Sequence, residues 1–159
     1  MAISVGDRLP DAELRRMTAD GPTVVKSTEV LGGGKVVLFA VPGAFTPGCS
    51  NVHLPGFIER AGELKAKGVT TIACVAVNDP FVMDAWGEAR GVGDDILLLS
   101  DGNGEFTAAM GLELDGSGFG LGRRSKRYAA IIEDGVLTSL DVDEKGIDLS
   151  TCSNVLLKL

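Results

Sequence analysis

Three cysteines, Cys49, Cys74 and Cys152, and one histidine, His53, are the side chains of this chain best suited to covalent or proton-transfer chemistry. Cys49 has the most telling surroundings. It stands in Val41-Pro-Gly-Ala-Phe-Thr-Pro-Gly-Cys-Ser50, after an apolar run and before a stretch with helical spacing. With Thr46 as N-cap and Pro47 as the first helical residue, Cys49 falls at the third helical position. There, unpaired backbone N–H groups and the positive end of the helix dipole favour thiolate over thiol. Ionisation alone does not make an efficient nucleophile, because a less basic thiolate attacks more weakly. Chemistry at Cys49 therefore also needs an uncovered sulfur and fixed donors that align a substrate and stabilise charge on a departing atom. The N–H groups of Gly48 and Cys49, the Thr46 hydroxyl and an arginine are groups of that kind, and Pro42 is placed to shield the sulfur from water.

His53, four residues after Cys49, shares its helical face, which raises a cysteine–histidine hydrolase as one reading. The favoured reading is a helix-surface or structural histidine, because Pro55 disturbs that helix and the sequence offers no partner to orient the ring. One histidine builds no histidine metal site, and the cysteines lack C-x-x-C spacing. Gly32-Gly-Gly-Lys35 lacks the earlier glycine and following Ser/Thr of a phosphate loop. Asp141, Asp143 and Gly146 match three places of a calcium loop whose last ligand position falls on Cys152.

The elements that must position Cys49 are legible as hydrophobic patterns. Lys35–Val41, Thr71–Val77 and Ile96–Leu99 read as buried strands. Between the first two, Leu54, Phe57, Ile58, Ala61 and Leu64 recur at helical spacing. After Asp79-Pro80, Phe81, Val82, Ala85, Trp86 and Ala89 repeat the pattern, with Trp86 read as core. A further short helix over 104–112 and a glycine-rich loop over 116–122 follow. Arg127–Ile132 and Val136–Val142 then form a hairpin through Asp134-Gly135, and a helix over 150–159 closes the chain. A β-α-β-α-β core followed by a hairpin and a last helix predicts an α/β, thioredoxin-like fold: a central mixed sheet flanked by helices, in one domain spanning 1–159. The carboxyl ends of its strands are where ligands bind, and Cys49 lies at one of them.

A net charge of −7 disfavours nucleic-acid partners, which require a concentrated positive surface. The basic cluster Arg123, Arg124, Lys126 and Arg127 is too short to reverse that. No apolar run reaches membrane-spanning length, and residues 1–20 lack a secretory signal, so neither membrane nor secretion is expected. Three unevenly spaced cysteines do not form a disulfide scaffold and point to a reducing compartment.

Pro42-x-x-x-Thr46-x-x-Cys49 matches the peroxiredoxin signature, and the full 41–50 segment resembles the type II (atypical) branch, the plant-like peroxiredoxin-5 subfamily. The resemblance extends through His53-Leu-Pro-Gly-Phe57, Val77-Asn-Asp-Pro-Phe-Val82, Asp101-Gly-Asn-Gly104 and Arg124-Ser-Lys-Arg-Tyr128. It implies a thiol-dependent peroxidase that reduces hydrogen peroxide and alkyl hydroperoxides without metal, haem or flavin. Cys49 would be the peroxidatic cysteine, Thr46 and Arg127 would bind peroxide and polarise the thiolate, and Pro42 would cover the pocket. Arg127 is chosen over Arg123 and Arg124 as the last arginine of the R-S-x-R-[YF] segment; spacing alone does not bring it near Cys49. A homodimer is also implied. Likeness to plastid forms in Ile96–Gly104 and Arg127–Ala129 implies the chloroplast stroma after removal of a transit peptide, with the cytoplasm as alternative.

Attack on peroxide leaves a sulfenic acid that a second thiol must resolve. Cys74, in a strand buried on both faces, reads as a core residue, although plant-like type II members carry a second cysteine at this spacing. Cys152, at a polar helix start, is expected to be exposed and acidic, and it resembles the resolving cysteine of the animal-like branch. Glutathione or glutaredoxin acting directly on Cys49 is the third route, and thioredoxin is the alternative reductant. A redox sensor on the same fold, oxidised without turnover, is the competing function.

Overall fold

The computed structural model describes residues 1–159. Strands β1 (Glu13–Thr18) and β2 (Gly21–Lys26) form an N-terminal hairpin, followed by the short helix α1 (Ser27–Val30). Strand β3 (Lys35–Ala40) leads through a loop and a π-helical turn (Cys49–His53) into α2 (Leu54–Ala66). Next come β4 (Thr71–Ala76), α3 (Pro80–Arg90), β5 (Leu97–Ser100) and α4 (Glu105–Met110). Strands β6 (Glu113–Asp115) and β7 (Arg123–Ser125) flank a 3-10 turn over Ser117–Phe119. The hairpin β8 (Arg127–Glu133) and β9 (Val136–Asp143) and the helix α5 (Cys152–Leu157) complete the chain.

Seven strands form one mixed sheet in the order β2-β1-β5-β4-β3-β8-β9, and β6 and β7 pair separately. The expected thioredoxin-like arrangement is therefore present, with β3, β4 and β5 parallel and β8 antiparallel to β3. Helical segments cover both faces. The N-terminal hairpin and the small β6–β7 sheet are additions, absent from the hydrophobic patterns because their residues are largely polar or half-exposed.

Strand alternation splits the core in two. Val37, Phe39, Cys74, Ala129 and Ile131 pack with Leu54, Phe57, Trp86 and Cys152 on one face. Val36, Leu38, Ala73, Val75, Tyr128 and Ala130 pack with Phe106 and Met110 on the other. In α3 the buried stripe is Met83, Trp86 and Gly87, whereas Phe81, Ala85 and Ala89 face outward. This corrects the sequence pattern, in which two alanines and a phenylalanine outweighed Met83. The β8–β9 turn has Asp134 at φ 48 and Gly135 at φ 85, the left-handed pair that a two-residue hairpin requires.

Candidate active site

Cys49 reaches its position through the exit of β3. Residues 41–46 turn away from the sheet, pinned by the Ala44 N–H, which donates to Asn78 Oδ1 at 2.9 Å. Thr46 occupies the N-cap position as expected, but its hydroxyl does not cap the helix: it donates back to the Gly43 carbonyl at 2.6 Å. The helix opens at Pro47, and the Ser50 N–H closes the first turn on the Thr46 carbonyl at 2.9 Å. The N–H groups of Gly48 and Cys49 precede that first closure, so the helix leaves them open beside the sulfur. The following turn is π rather than α, closed by the Leu54 N–H on the Cys49 carbonyl. Pro55, one residue on, has no N–H to continue an α pattern there.

Arg127 arrives from the other end of the chain by register. Strand β8 runs antiparallel to β3 with Tyr128 opposite Ala40, so Arg127 lies beyond the carboxyl end of β3, where the Cys49 loop departs. Strand parity places it with Ala129 and Ile131 on the face that α2 covers. One terminal guanidinium nitrogen donates to Cys49 Sγ at 3.2 Å, and the other donates to His53 Nδ1 at 2.9 Å. An anionic sulfur here faces a fixed, permanently charged donor. Gly48 makes room for the fork: a Cβ there would lie 3.3 Å from the guanidinium and 3.1 Å from Ile147 Cδ1.

Cys49 itself is fully buried. The expectation of an uncovered sulfur is corrected, because the loop, the first helical turn and Arg127 close around it. Beside it, Pro42, Gly48, Arg127, Asp143 and Ile147 help to line a cavity of about 340 Å³. A cavity of about 370 Å³ between α3 and β1 shares none of these lining residues.

His53 is the residue that sequence reading undervalued. It is buried at 2 % exposure, tilted against Phe39 at 5.2 Å between ring centroids and against Phe57 at 5.6 Å. Its Nε2 donates to the Ser150 carbonyl at 2.8 Å. Burial pushes its pKa down to about 4, and the Arg127 charge adds to this against the opposing Ser150 hydrogen bond. The helix-surface version of the histidine reading is thereby corrected. The hydrolase reading fails too, because both ring nitrogens already have partners other than sulfur. Only the long-range pairing of 53 with 127 and 150 reveals this, and spacing carries no signal of it. Trp86 is core, as read, and its indole N–H donates to the Ser50 hydroxyl at 2.9 Å. Arg124 instead ties the loops together, donating to the Leu121 carbonyl at 2.9 Å and the Pro42 carbonyl at 3.4 Å.

The other two thiols are not exposed. Cys74 lies fully buried in β4, and desolvation raises its pKa well above the ordinary thiol value. Cys152, expected to be exposed and acidic, is neither. It is 4 % exposed, and burial pushes it up to about 11. The physical reason is that it sits on the inner face of α5 with Val155 and Leu156, so its polar sequence neighbours face elsewhere.

A thioredoxin-like sheet that brings an arginine onto a cysteine in the first helical turn after β3 defines a class, the cysteine-dependent peroxidases. Residues 4–156 match the family described as Redoxin. The chain is 56% identical over 161 residues to "Peroxiredoxin-2E-2, chloroplastic" of Oryza sativa subsp. japonica, a match covering 98% of this chain and 72% of that protein. It superposes on reduced Prx3 in complex with hydrogen peroxide from Vibrio vulnificus with a TM-score of 0.94 at 52% identity, covering 98% of each chain. With peroxiredoxin 5 of Alvinella pompejana the TM-score is 0.86 at 39% identity, covering 98% of this chain and 96% of that one. The chain belongs to the redoxin family and, within it, to the type II peroxiredoxins, which are peroxidases and oxidoreductases.

Proposed function

We propose that Cys49 is the peroxidatic nucleophile of a single domain spanning 1–159, acting on hydrogen peroxide and alkyl hydroperoxides. The observation that carries this reading is the 3.2 Å contact from Arg127 to Cys49 Sγ. The thiolate attacks the terminal peroxide oxygen in line with the O–O bond, forming S–O and breaking O–O. The leaving alkoxide or hydroxide takes a proton and departs as alcohol or water, and the sulfur remains as sulfenic acid. Arg127 and the N–H groups of Gly48 and Cys49 stabilise charge on the oxygens. The Thr46 hydroxyl, anchored on Gly43, orients the peroxide, and Pro42 covers the approach.

The recycling thiol comes from outside the chain: glutathione, delivered directly or by glutaredoxin, attacks the sulfenic acid. What supports this is the burial and raised pKa of both Cys74 and Cys152, which make each a poor attacking thiolate. A thioredoxin-supported disulfide through Cys74 or Cys152 is the second reading, and it requires the π turn to open. The chain works as a homodimer in the chloroplast stroma, the latter supported by the chloroplastic relative.

Steady-state peroxide consumption by wild type, Cys49→Ser, Cys74→Ser and Cys152→Ser, each with glutaredoxin and with thioredoxin systems, tests the catalytic and recycling roles. Turnover should vanish only in Cys49→Ser, and the other two variants should keep full glutaredoxin-supported activity. Consumption of a single equivalent by wild type in the presence of both systems would mark a sensor instead.

A further inference from the structure

The chain's one histidine is held from two sides, and the second side leads to a carboxylate that the reaction does not use. Asp143 ends β9, opposite Arg127 on β8, and is 7 % exposed. Its Oδ2 accepts from the N–H of Asp148 at 3.1 Å, the N–H of Ser150 at 2.9 Å and the Ser150 hydroxyl at 2.6 Å. Its Oδ1 accepts from the Leu149 N–H at 2.9 Å. Four donors converging on one carboxylate fold residues 144–150 into a strap across the end of the sheet. We infer that Asp143 is a positioning residue for the peroxidase centre, its carboxylate shaping the strap so that the Ser150 carbonyl fixes the His53 ring and the ring fixes the Arg127 fork on Cys49. This rests on the role proposed for Cys49.

The chain of contacts has one consistent polarity. A carboxylate only accepts, so the strap amides and the Ser150 hydroxyl must donate to it. A backbone carbonyl also only accepts, so His53 Nε2 must carry the ring proton. That leaves a lone pair on Nδ1, the one arrangement that can receive the Arg127 N–H. Reversing the tautomer would set donor against donor at Arg127 and acceptor against acceptor at Ser150. The strap also carries Ile147 onto Gly48, so the same carboxylate holds one wall of the cavity beside the sulfur.

Because His53 is unique, its ring nitrogens can be read in 15N-labelled protein without assignment. Wild type should show a single tautomer protonated at Nε2. Asp143→Asn, whose amide cannot accept from four donors, should show a mixture of tautomers. Its Cys49 alkylation by iodoacetamide at pH 7 should slow about tenfold, the equivalent of one hydrogen bond to a charged group. Ser150→Ala removes only the hydroxyl bond and should move both readouts the same way by a smaller factor, and it decides the matter if Asp143→Asn does not fold. A folded variant that keeps the wild-type ring signal and alkylation rate overturns the inference, even with a lowered melting temperature. Both readouts are taken without peroxide, so an absence of peroxidase turnover in wild type would remove the proposed function and leave the strap to be judged on the ring signal alone.

Discussion

Arg127 divides its guanidinium between two partners, sulfur on one nitrogen and imidazole on the other, and both contacts depend on its planar fork. Lysine keeps the charge but cannot serve both positions. Arg127→Lys should therefore slow peroxide reduction by about 10²-fold, comparable to losing one donor that stabilises a developing oxyanion. The single Trp86, bonded to Ser50 beside Cys49, provides the stopped-flow fluorescence signal. His53 makes a second prediction. Its folded pKa of about 4 lies below its ordinary 6.5, so between these values the unfolded chain binds a proton that the folded one refuses. Its contribution to stability is complete above about pH 6.5 and declines as pH falls towards 4, by about 3 kcal/mol in all. Urea midpoints measured from pH 7 to 4.5 should fall more steeply for wild type than for His53→Gln. Equal slopes would place the ring in an ordinary, solvated environment.

At the scale of elements, the π turn over Cys49–His53 sets how readily the sulfur leaves its pocket. The turn is wider than an α turn, and Pro55 withholds the N–H that would tighten it. Pro55→Ala restores that donor. Amide exchange over residues 49–53 should slow in this variant, and any disulfide joining Cys49 to Cys74 or Cys152 should form more slowly under peroxide. Unchanged exchange would mean that the packing of His53 and Phe57 on Phe39, rather than the missing bond, limits opening. Long apolar runs made β3 and β4 legible from the sequence, and Asp79-Pro80 made the start of α3 legible. The β1–β2 hairpin and the inward face of Cys152 were not. Edge strands carry mixed residues, and which side of a short helix faces inward is set by what packs on it.

For the molecule as a whole, the carboxyl ends of β3 and β4 point to the same end of the sheet, and apolar side chains are exposed there. Phe45 follows β3 and Phe81 follows β4, with Val52 on the π turn between them; these are 51 %, 64 % and 55 % exposed. Phe45 also holds φ 64, an uncommon conformation for a bulky residue. The Ala44–Asn78 hydrogen bond joins the segments that lead into Phe45 and Phe81, and exposed apolar side chains here fit the self-association proposed above. Phe81→Asp should convert a dimer to a monomer in sedimentation at micromolar concentration. It should leave the fold intact, since the site is exposed and an acidic residue suits the first turn of α3. A monomeric wild type would remove the homodimer from the proposed function.

The sequence by itself determined the local frame of Cys49, the proposed nucleophile. A buried strand, Thr46-Pro47 and a helix start are all written within a few residues of Cys49, and helix-end electrostatics act over that distance. It also determined the thioredoxin-like order of elements, because apolar periodicity reports which faces are buried. Only the tertiary structure decided that Arg127 reaches the sulfur, that His53 is a clamp and that Asp143 and Ser150 stand behind it. The contacts of Arg127 with Cys49 and His53 and of His53 with Ser150 span 74 to 97 residues of chain, and strand register and parity set where Arg127 and Asp143 stand in them. No local pattern encodes such pairings, since each partner taken alone reads as an ordinary polar residue at the end of a strand or in a turn.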